Sequence, residues 1–222
     1  MYKLVIFDLD GTLLDTIGDL ADSCNFALGK LGFPPHDTKE YCGFVGNGIT
    51  KLIERALPAG ERDENTVSAV RKYFVSHYSE NNTVRTKPYP GIPELLEKLQ
   101  SGGAQLAVAS NKYQEATERI ISHYFTGINF TAVFGQRNGI PIKPDAYVIR
   151  EIMDIAGVSP EETIYVGDSG VDASTAAAVK GITHICVTWG FCCRTDLEKY
   201  GPLNFADKAS DISDIYFKEG SI

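Results

Sequence analysis

At 222 residues the chain is long enough to bury one substantial core with room for a second small module. Its 21 basic and 29 acidic residues leave a formal charge of -8, which offers no electrostatic footprint for nucleic acid or anionic lipid. The five cysteines are scattered and form no Cys-x-x-Cys pair, which argues against a disulfide framework or a zinc site. No apolar run approaches the roughly 20 residues of a membrane span. Asp8 follows Met1 too closely for a signal segment, so the expected location is the cytoplasm.

The first predicted element is a buried strand within "KLVIF". After it the period changes. Ile17, Leu20, Ala21, Cys24, Ala27, Leu28 and Leu31 recur at three and four residues, with Gly32 as the stop, and predict an amphipathic helix. A second helix is expected from Ile49 to Leu57, and a third from about Asp63 to about Asn81 with Val67, Val70, Phe74 and Tyr78 on one face. The turn-rich "KPYPG" and a helix bearing Ile92, Leu95, Leu96 and Leu99 lead to a second strand, Gln105 to Ser110. From there strand and helix alternate: a helix near Gln114 to Tyr124, the strand "AVFG", and a helix from Pro144. The strand "TIYVG" follows the capping-box sequence Ser159-Pro160-Glu161-Glu162, and a helix near Val171 to Val179 leads to the strand "HICVT". That alternation predicts an α/β fold with a doubly wound parallel sheet. A strand-helix-strand unit needs about 30 residues, yet roughly 90 separate the first two strands. The surplus reads as an inserted α-helical domain over residues 15–84, leaving 1–14 plus 85–222 as the α/β core.

In an open parallel sheet, ligands sit outside the carboxyl ends of the strands. Asp8, Asp10, Gly11 and Thr12 follow the first strand; Ser110, Asn111 and Lys112 follow the second; Asp168, Ser169 and Asp172 follow "TIYVG". Lys143, directly before Pro144, is aimed at the same edge. Each fragment alone has a plain structural explanation: Asp10-Gly11 as a turn, Ser110-Asn111 as a helix cap, Lys143 as a solvated charge, and Asp168 with Asp172 as an acidic helix start. Together they do not. Asp8, Asp10, Asp168 and Asp172 on one edge require a cation. Lys143 supplies one charge, and with no histidine or cysteine in these loops, Mg2+ is favoured over zinc or copper.

A carboxylate beside a metal ion, a lysine and hydroxyl donors suits phosphoryl transfer. Asp8 is the expected nucleophile, forming an aspartyl-phosphate, and Asp10 the expected acid and base. Gly11 lets the backbone approach the phosphate, and Thr12 adds a donor.

"DLDGT", "SNK", "KPD" and "GDSGVD", in that order and on those elements, resemble the four motifs of the haloacid dehalogenase superfamily of phosphatases. The resemblance implies Asp8 as nucleophile, Asp10 as acid/base, Ser110 as phosphate ligand with Asn111 beside it, and Lys143 as charge stabiliser. It implies Mg2+ held by Asp8, the backbone carbonyl of Asp10 and Asp168, with Asp172 as a supporting or further ligand. The insertion after the first motif resembles the helical cap of one large branch. Within it, "FVGNGITKLIERAL" with "LLDTIGDLADSCNFAL" is similar to the phosphoglycolate phosphatase group, so a small phosphorylated metabolite, best 2-phosphoglycolate, is the expected substrate. Sugar-phosphate phosphatases, pyrophosphatases and phosphomutases share the core motifs and stay open as alternatives. A receiver-like phosphoacceptor module does not suit the inserted helices.

Two cap features bear on substrate. Gly46, Asn47 and Gly48 precede the helix from Ile49, so their N-H groups can form an anion site at its positive end; a tight turn needing glycine is the structural alternative. Lys51 and Arg55 share a face and either add charge there or form a solvated stripe. The adjacent Cys192 and Cys193, in "WGFCC" near the same edge, read as redox-active or as small apolar fillers. The oligomeric state is not legible.

Overall fold

Leu4, Val5, Ile6 and Phe7 form β1 (Leu4–Phe7), and all four are fully buried, because helices cover both faces of the sheet they enter. Leu4 and Ile6 face one layer, while Val5 and Phe7 face the other. The computed structural model describes residues 1–201 and 204–218.

After β1 come the two-residue strand β2 (Leu14–Asp15), then α1 (Ile17–Lys30), α2 (Gly48–Ala56) and α3 (Glu64–Asn81). A second two-residue strand, β3 (Lys87–Pro88), pairs antiparallel with β2. The chain continues through α4 (Ile92–Ser101), β4 (Gln105–Tyr113), α5 (Gln114–Tyr124), β5 (Phe130–Gln136) and α6 (Tyr147–Ala156). It then runs through β6 (Thr163–Gly167), α7 (Gly170–Ala177), β7 (Thr183–Val187), α8 (Arg194–Leu197), β8 (Asn204–Ala206) and α9 (Ala209–Lys218). The main sheet has the order β5-β4-β1-β6-β7-β8 and is parallel throughout. One face packs on α6 through Ile149, Ile152 and Met153; the other packs on α4, α5 and α9 through residues such as Leu96, Ile120 and Ile212.

The doubly wound parallel sheet matches the sequence expectation. Several boundaries differ. β4 runs three residues past Ser110, so Ser110, Asn111 and Lys112 belong to the strand end and cap no helix; Tyr113 occupies the N-cap of α5. The helix expected from Pro144 begins at Tyr147 instead. A turn closed by the Asp145 amide on the Ile142 carbonyl at 3.0 Å holds residues 142–145 out of the helix, and the Asp145 carboxylate then accepts from the Tyr147 amide at 2.8 Å. β8, α9 and the β2–β3 ribbon are additions to the expected set.

The three helices α1, α2 and α3 lie between two strands that are neighbours in the sheet, and they pack on one another through Val70, Phe74 and Tyr78 of α3. Ser23 on α1 hydrogen-bonds His77 on α3 at 2.9 Å, and Phe26 stacks on the same histidine. Where the chain returns to the core, Asp19 of α1 accepts from the amides of Arg85 (2.8 Å) and Thr86 (2.9 Å) and from the Thr86 hydroxyl (2.7 Å). Among the described residues no helix is long and apolar enough to cross a membrane.

Candidate active site

The turn after β1 builds the first part of the site. The amides of Thr12, Leu13 and Leu14 all donate to the Leu9 carbonyl, coiling the chain tightly over the strand end. Gly11 sits at φ +88°, and a Cβ there would lie 2.3 Å from an Asp168 carboxylate oxygen, so glycine meets both a conformational and a steric demand. The Thr12 hydroxyl donates to Asp168 at 3.1 Å. Gly190, in the loop after β7, meets a steric demand alone: a Cβ there would sit 2.5 Å from the Gly11 carbonyl. The same loop gives Asp168 a hydrogen bond from the Phe191 amide at 2.8 Å, and Trp189 donates to the Thr12 carbonyl at 3.1 Å.

Asp8, Asp168 and Asp172 offer carboxylate oxygens that all lie within 4.8 Å of one another. Lys143 bridges two of them, 2.9 Å from Asp8 and 2.8 Å from Asp172. Asp172 also accepts from Tyr165 at 2.5 Å and from the Ser169 hydroxyl at 2.5 Å. It is thus surrounded by donors, and although burial opposes its charge, Lys143 and these hydrogen bonds hold its carboxyl below the usual range. Burial also works against the Lys143 ammonium, but Asp172 and Asp8 overcome it. Asp8 fares differently: burial pushes its carboxyl up to about 7, with Lys143 opposing and Asp172 reinforcing. Burial raises Asp168 well above the ordinary range too, and Asp172 and Asp8 add to the shift.

The charge count explains these directions. Three carboxylates against one ammonium leave two negative charges uncompensated in a buried cluster. A divalent cation matches that deficit, and an all-oxygen donor set without histidine or cysteine suits a hard one. The residues present therefore fit the metal ion expected here.

Asp10 stands apart from this cluster. Its carboxylate pairs with Lys112 at 2.9 and 3.2 Å and accepts from the Thr16 hydroxyl at 2.7 Å. Of the residues named from the sequence, Asp8, Thr12, Lys143, Asp168 and Asp172 come together, with Asp10 and Ser110 lining the adjoining cavity. Asn111 is committed to structure: its amide nitrogen donates to the carbonyls of Gly46 and Lys143, both at 2.9 Å, and its oxygen accepts from the Lys143 amide at 2.9 Å.

That cavity, about 50 Å³, lies between the strand ends and the inserted helices. Gly46 and Gly48 line it, whereas the Asn47 side chain turns to Arg55 at 2.7 Å. Lys51 and Arg55, read either as added charge or as a solvated stripe, are not among the residues lining the cavity: Lys51 pairs with Glu54 at 2.5 Å, and Arg55 donates to the Phe44 carbonyl at 2.9 Å. Arg55 thereby braces the loop from behind. Burial lifts the Cys192 thiol to about 11, which disfavours thiolate chemistry there; Cys193 is exposed beside Thr195 and Asp196, not a buried filler.

Sequence reasoning assigned no role to Lys112, Thr16, Tyr165 or the Trp189–Phe191 segment. The third letter of "SNK" and the place of "WGFCC" near the same edge pointed to Lys112 and to that segment; Thr16 and Tyr165 are partners set through space.

A sheet of this order with these loops at one edge defines a class of hydrolase, and comparison with known proteins agrees. Residues 5–187 match the family model described as haloacid dehalogenase-like hydrolase, and the chain belongs to that family. It is an enzyme of the phosphatase kind, similar to phosphoglycolate phosphatases. The phosphoglycolate phosphatase of Mesorhizobium japonicum is 35% identical over 190 residues, covering 85% of this chain and 83% of the relative. That of Aquifex aeolicus is 34% identical over 194 residues, covering 85% and 86%. A crystal structure from Lactobacillus delbrueckii subsp. bulgaricus, provisionally named a phosphoglycolate phosphatase, superposes with a TM-score of 0.91 at 30% identity, covering 97% of this chain and 98% of that one.

Proposed function

We propose that this chain is a Mg2+-dependent phosphomonoester hydrolase that works through an aspartyl-phosphate on Asp8, and that 2-phosphoglycolate is its substrate. The observation that carries the mechanism is the charge deficit around Asp8. When bound there by Asp8, the Asp10 carbonyl and Asp168, Mg2+ would offset the two uncompensated charges and draw electron density from the phosphate oxygens. Asp8 attacks phosphorus, the ester bond breaks, and Asp10 gives its proton to the departing alkoxide. Asp10 then takes a proton from the water that attacks the aspartyl-phosphate, which releases phosphate and restores Asp8. Lys143 stays charged throughout between Asp8 and Asp172 and stabilises the equatorial oxygens. Ser110 contributes a hydroxyl group to the cavity wall, and the Thr12 hydroxyl, donated to Asp168 at 3.1 Å, steadies that carboxylate.

Residues 15–84 act as a cap in this reading, and the Gly46-Asn47-Gly48 loop meets the end of the substrate away from phosphorus. Gly46 and Gly48 line the cavity at its far wall, where the N-terminal end of α2 suits a small ester that ends in a carboxylate. The names of the relatives support the same substrate. The test is phosphate release from 2-phosphoglycolate, ethyl phosphate and hexose 6-phosphates with and without Mg2+, together with recovery of a phosphorylated Asp8 peptide after acid quench. Preference for hexose phosphates, or turnover undiminished by chelation, would overturn the reading.

A further inference from the structure

Lys112 has a role in none of the chemistry described so far, yet it is one of the most deeply placed charges in the molecule. Its side chain is 3% exposed, and its ammonium pairs with both oxygens of Asp10. It also sits 4.7 Å over the ring of Tyr78, so it reaches from the end of β4 to helix α3 of the insertion. Among the described residues that line the small cavity, it is the only cation. The other basic groups nearby are committed elsewhere: Lys143 to Asp8 and Asp172, Lys51 to Glu54, Arg55 to the loop carbonyls and Asn47.

The remaining walls include Leu20, Ile49, Leu52 and Phe74, against which an unpaired anion would be strongly disfavoured. A substrate with a second negative group, seated with its phosphate at Asp8, therefore has one cation to turn to. Asp10 can release that cation without becoming an orphan, because the Thr16 hydroxyl holds it independently at 2.7 Å.

We infer that Lys112 selects substrates carrying a carboxylate by exchanging its Asp10 partner for that group. The inference rests on the phosphatase reading above and deepens it. The exchange does two things at once. It pairs the substrate's distal charge, and it frees the Asp10 carboxylate from its ammonium partner while the leaving oxygen lies beside it. A neutral ester leaves the Lys112–Asp10 pair closed.

Kinetics on a matched pair of esters tests this. kcat/KM is measured with Mg2+ for 2-phosphoglycolate and ethyl phosphate, using wild type, Lys112→Met, Lys112→Gln and Lys112→Arg, with circular dichroism to confirm folding. Lys112→Gln keeps a donor toward Asp10 and serves should Lys112→Met not fold. Wild type should favour the carboxylate ester by about 30-fold or more, and both uncharged variants should lose at least about tenfold of that ratio, with Lys112→Arg regaining part of it. The ratio isolates recognition, since a purely structural loss lowers both rates alike. A wild-type preference that survives in the uncharged variants within about twofold overturns the role of Lys112 and leaves the substrate reading intact. A wild type with no preference overturns the phosphoglycolate reading itself, and this inference with it.

Discussion

Lys143 divides one positive charge between two carboxylates, and Asp168 receives none of it. Two expectations follow at the level of single residues. Asp8→Asn is nearly isosteric and removes the carboxylate proposed to attack phosphorus, so turnover should fall by at least about a thousandfold, while the melting temperature of the cation-free protein at pH 7.5 rises slightly because a buried negative charge has gone. Steady-state kinetics with calorimetry checks both halves. The second concerns pH. The folded protein without cation keeps a proton on Asp8 up to about 7, whereas an unfolded chain has lost it from about 3.8 upward. The native state thus binds more protons over that window, and its stability falls as pH rises through it. Chelated protein should melt at a lower temperature at pH 7.5 than at pH 5. One fixed Mg2+ concentration, about 100 times the dissociation constant at pH 7.5, should restore roughly 5–10 °C at the higher pH and much less at the lower, where protonated acids bind the ion more weakly. A Mg2+ response equal at both values would contradict the charge count. The acids themselves were legible from their spacing in "DLDGT" and "GDSGVD". The pairing of Lys143 with Asp172, and of Lys112 with Asp10, was not: a sequence reports which charges reach an edge, and only the packing reports which of them meet.

At the scale of elements, the strands showed themselves because burial on both faces makes each a continuous apolar run, as in "KLVIF" and "TIYVG". Elements of two or three residues carry no such run, which is why the β2–β3 ribbon and β8 escaped notice. α9 is a different case. Its buried Ala209, Ile212, Ser213 and Tyr216 follow helical spacing, and the signal was present but not taken up. Ser110 ended the apolar run of β4, and there the ladder breaks: after Ala109 opposite Phe134 it bulges through Ser110, Asn111 and Lys112, which bond elsewhere, and pairs again at Tyr113 opposite Gln136. Asp19 gave no sequence signal beyond an acidic residue in the first turn of α1, although it fastens that helix to the returning chain through three hydrogen bonds. Asp19→Ala strands two amides and a hydroxyl. It should lower stability by about 2–4 kcal/mol, whereas Asp19→Asn, which retains one acceptor, should lose about half as much. Urea unfolding of both variants decides whether the carboxylate or merely its bulk matters there.

At the scale of the molecule, the inserted helices touch the catalytic edge through very few groups. Gly48 is one of them: it holds φ +79°, and a Cβ would come within 3.3 Å of the Asn111 carbonyl and 3.2 Å of Gln136. Gly48→Val should therefore push the insertion away from the sheet and lower kcat/KM for 2-phosphoglycolate by about tenfold or more, with a fall in melting temperature as well, because valine is strained at that φ. A variant with wild-type kinetics would mean that the loop does not close on the substrate. An excess of residues between two strands pointed to an insertion over residues 15–84, and α1, α2 and α3 occupy that interval. Its seating on Asn111 was not legible, since that depends on one carbonyl, Gly46, reaching one side chain.

The β2–β3 ribbon has a consequence for how such an enzyme changes over generations. Asp15 stands opposite Lys87, so the chain departs for the insertion and returns from it at neighbouring points. The strands of the parallel sheet all lie outside that interval, so its length does not set their register. In the proposed reading the acids that break the phosphate bond lie outside that interval and the Gly46–Gly48 loop that meets the substrate lies inside it. A graft joined at Asp15 and Lys87 should yield a folded hydrolase with the same acids at its edge and a different appetite.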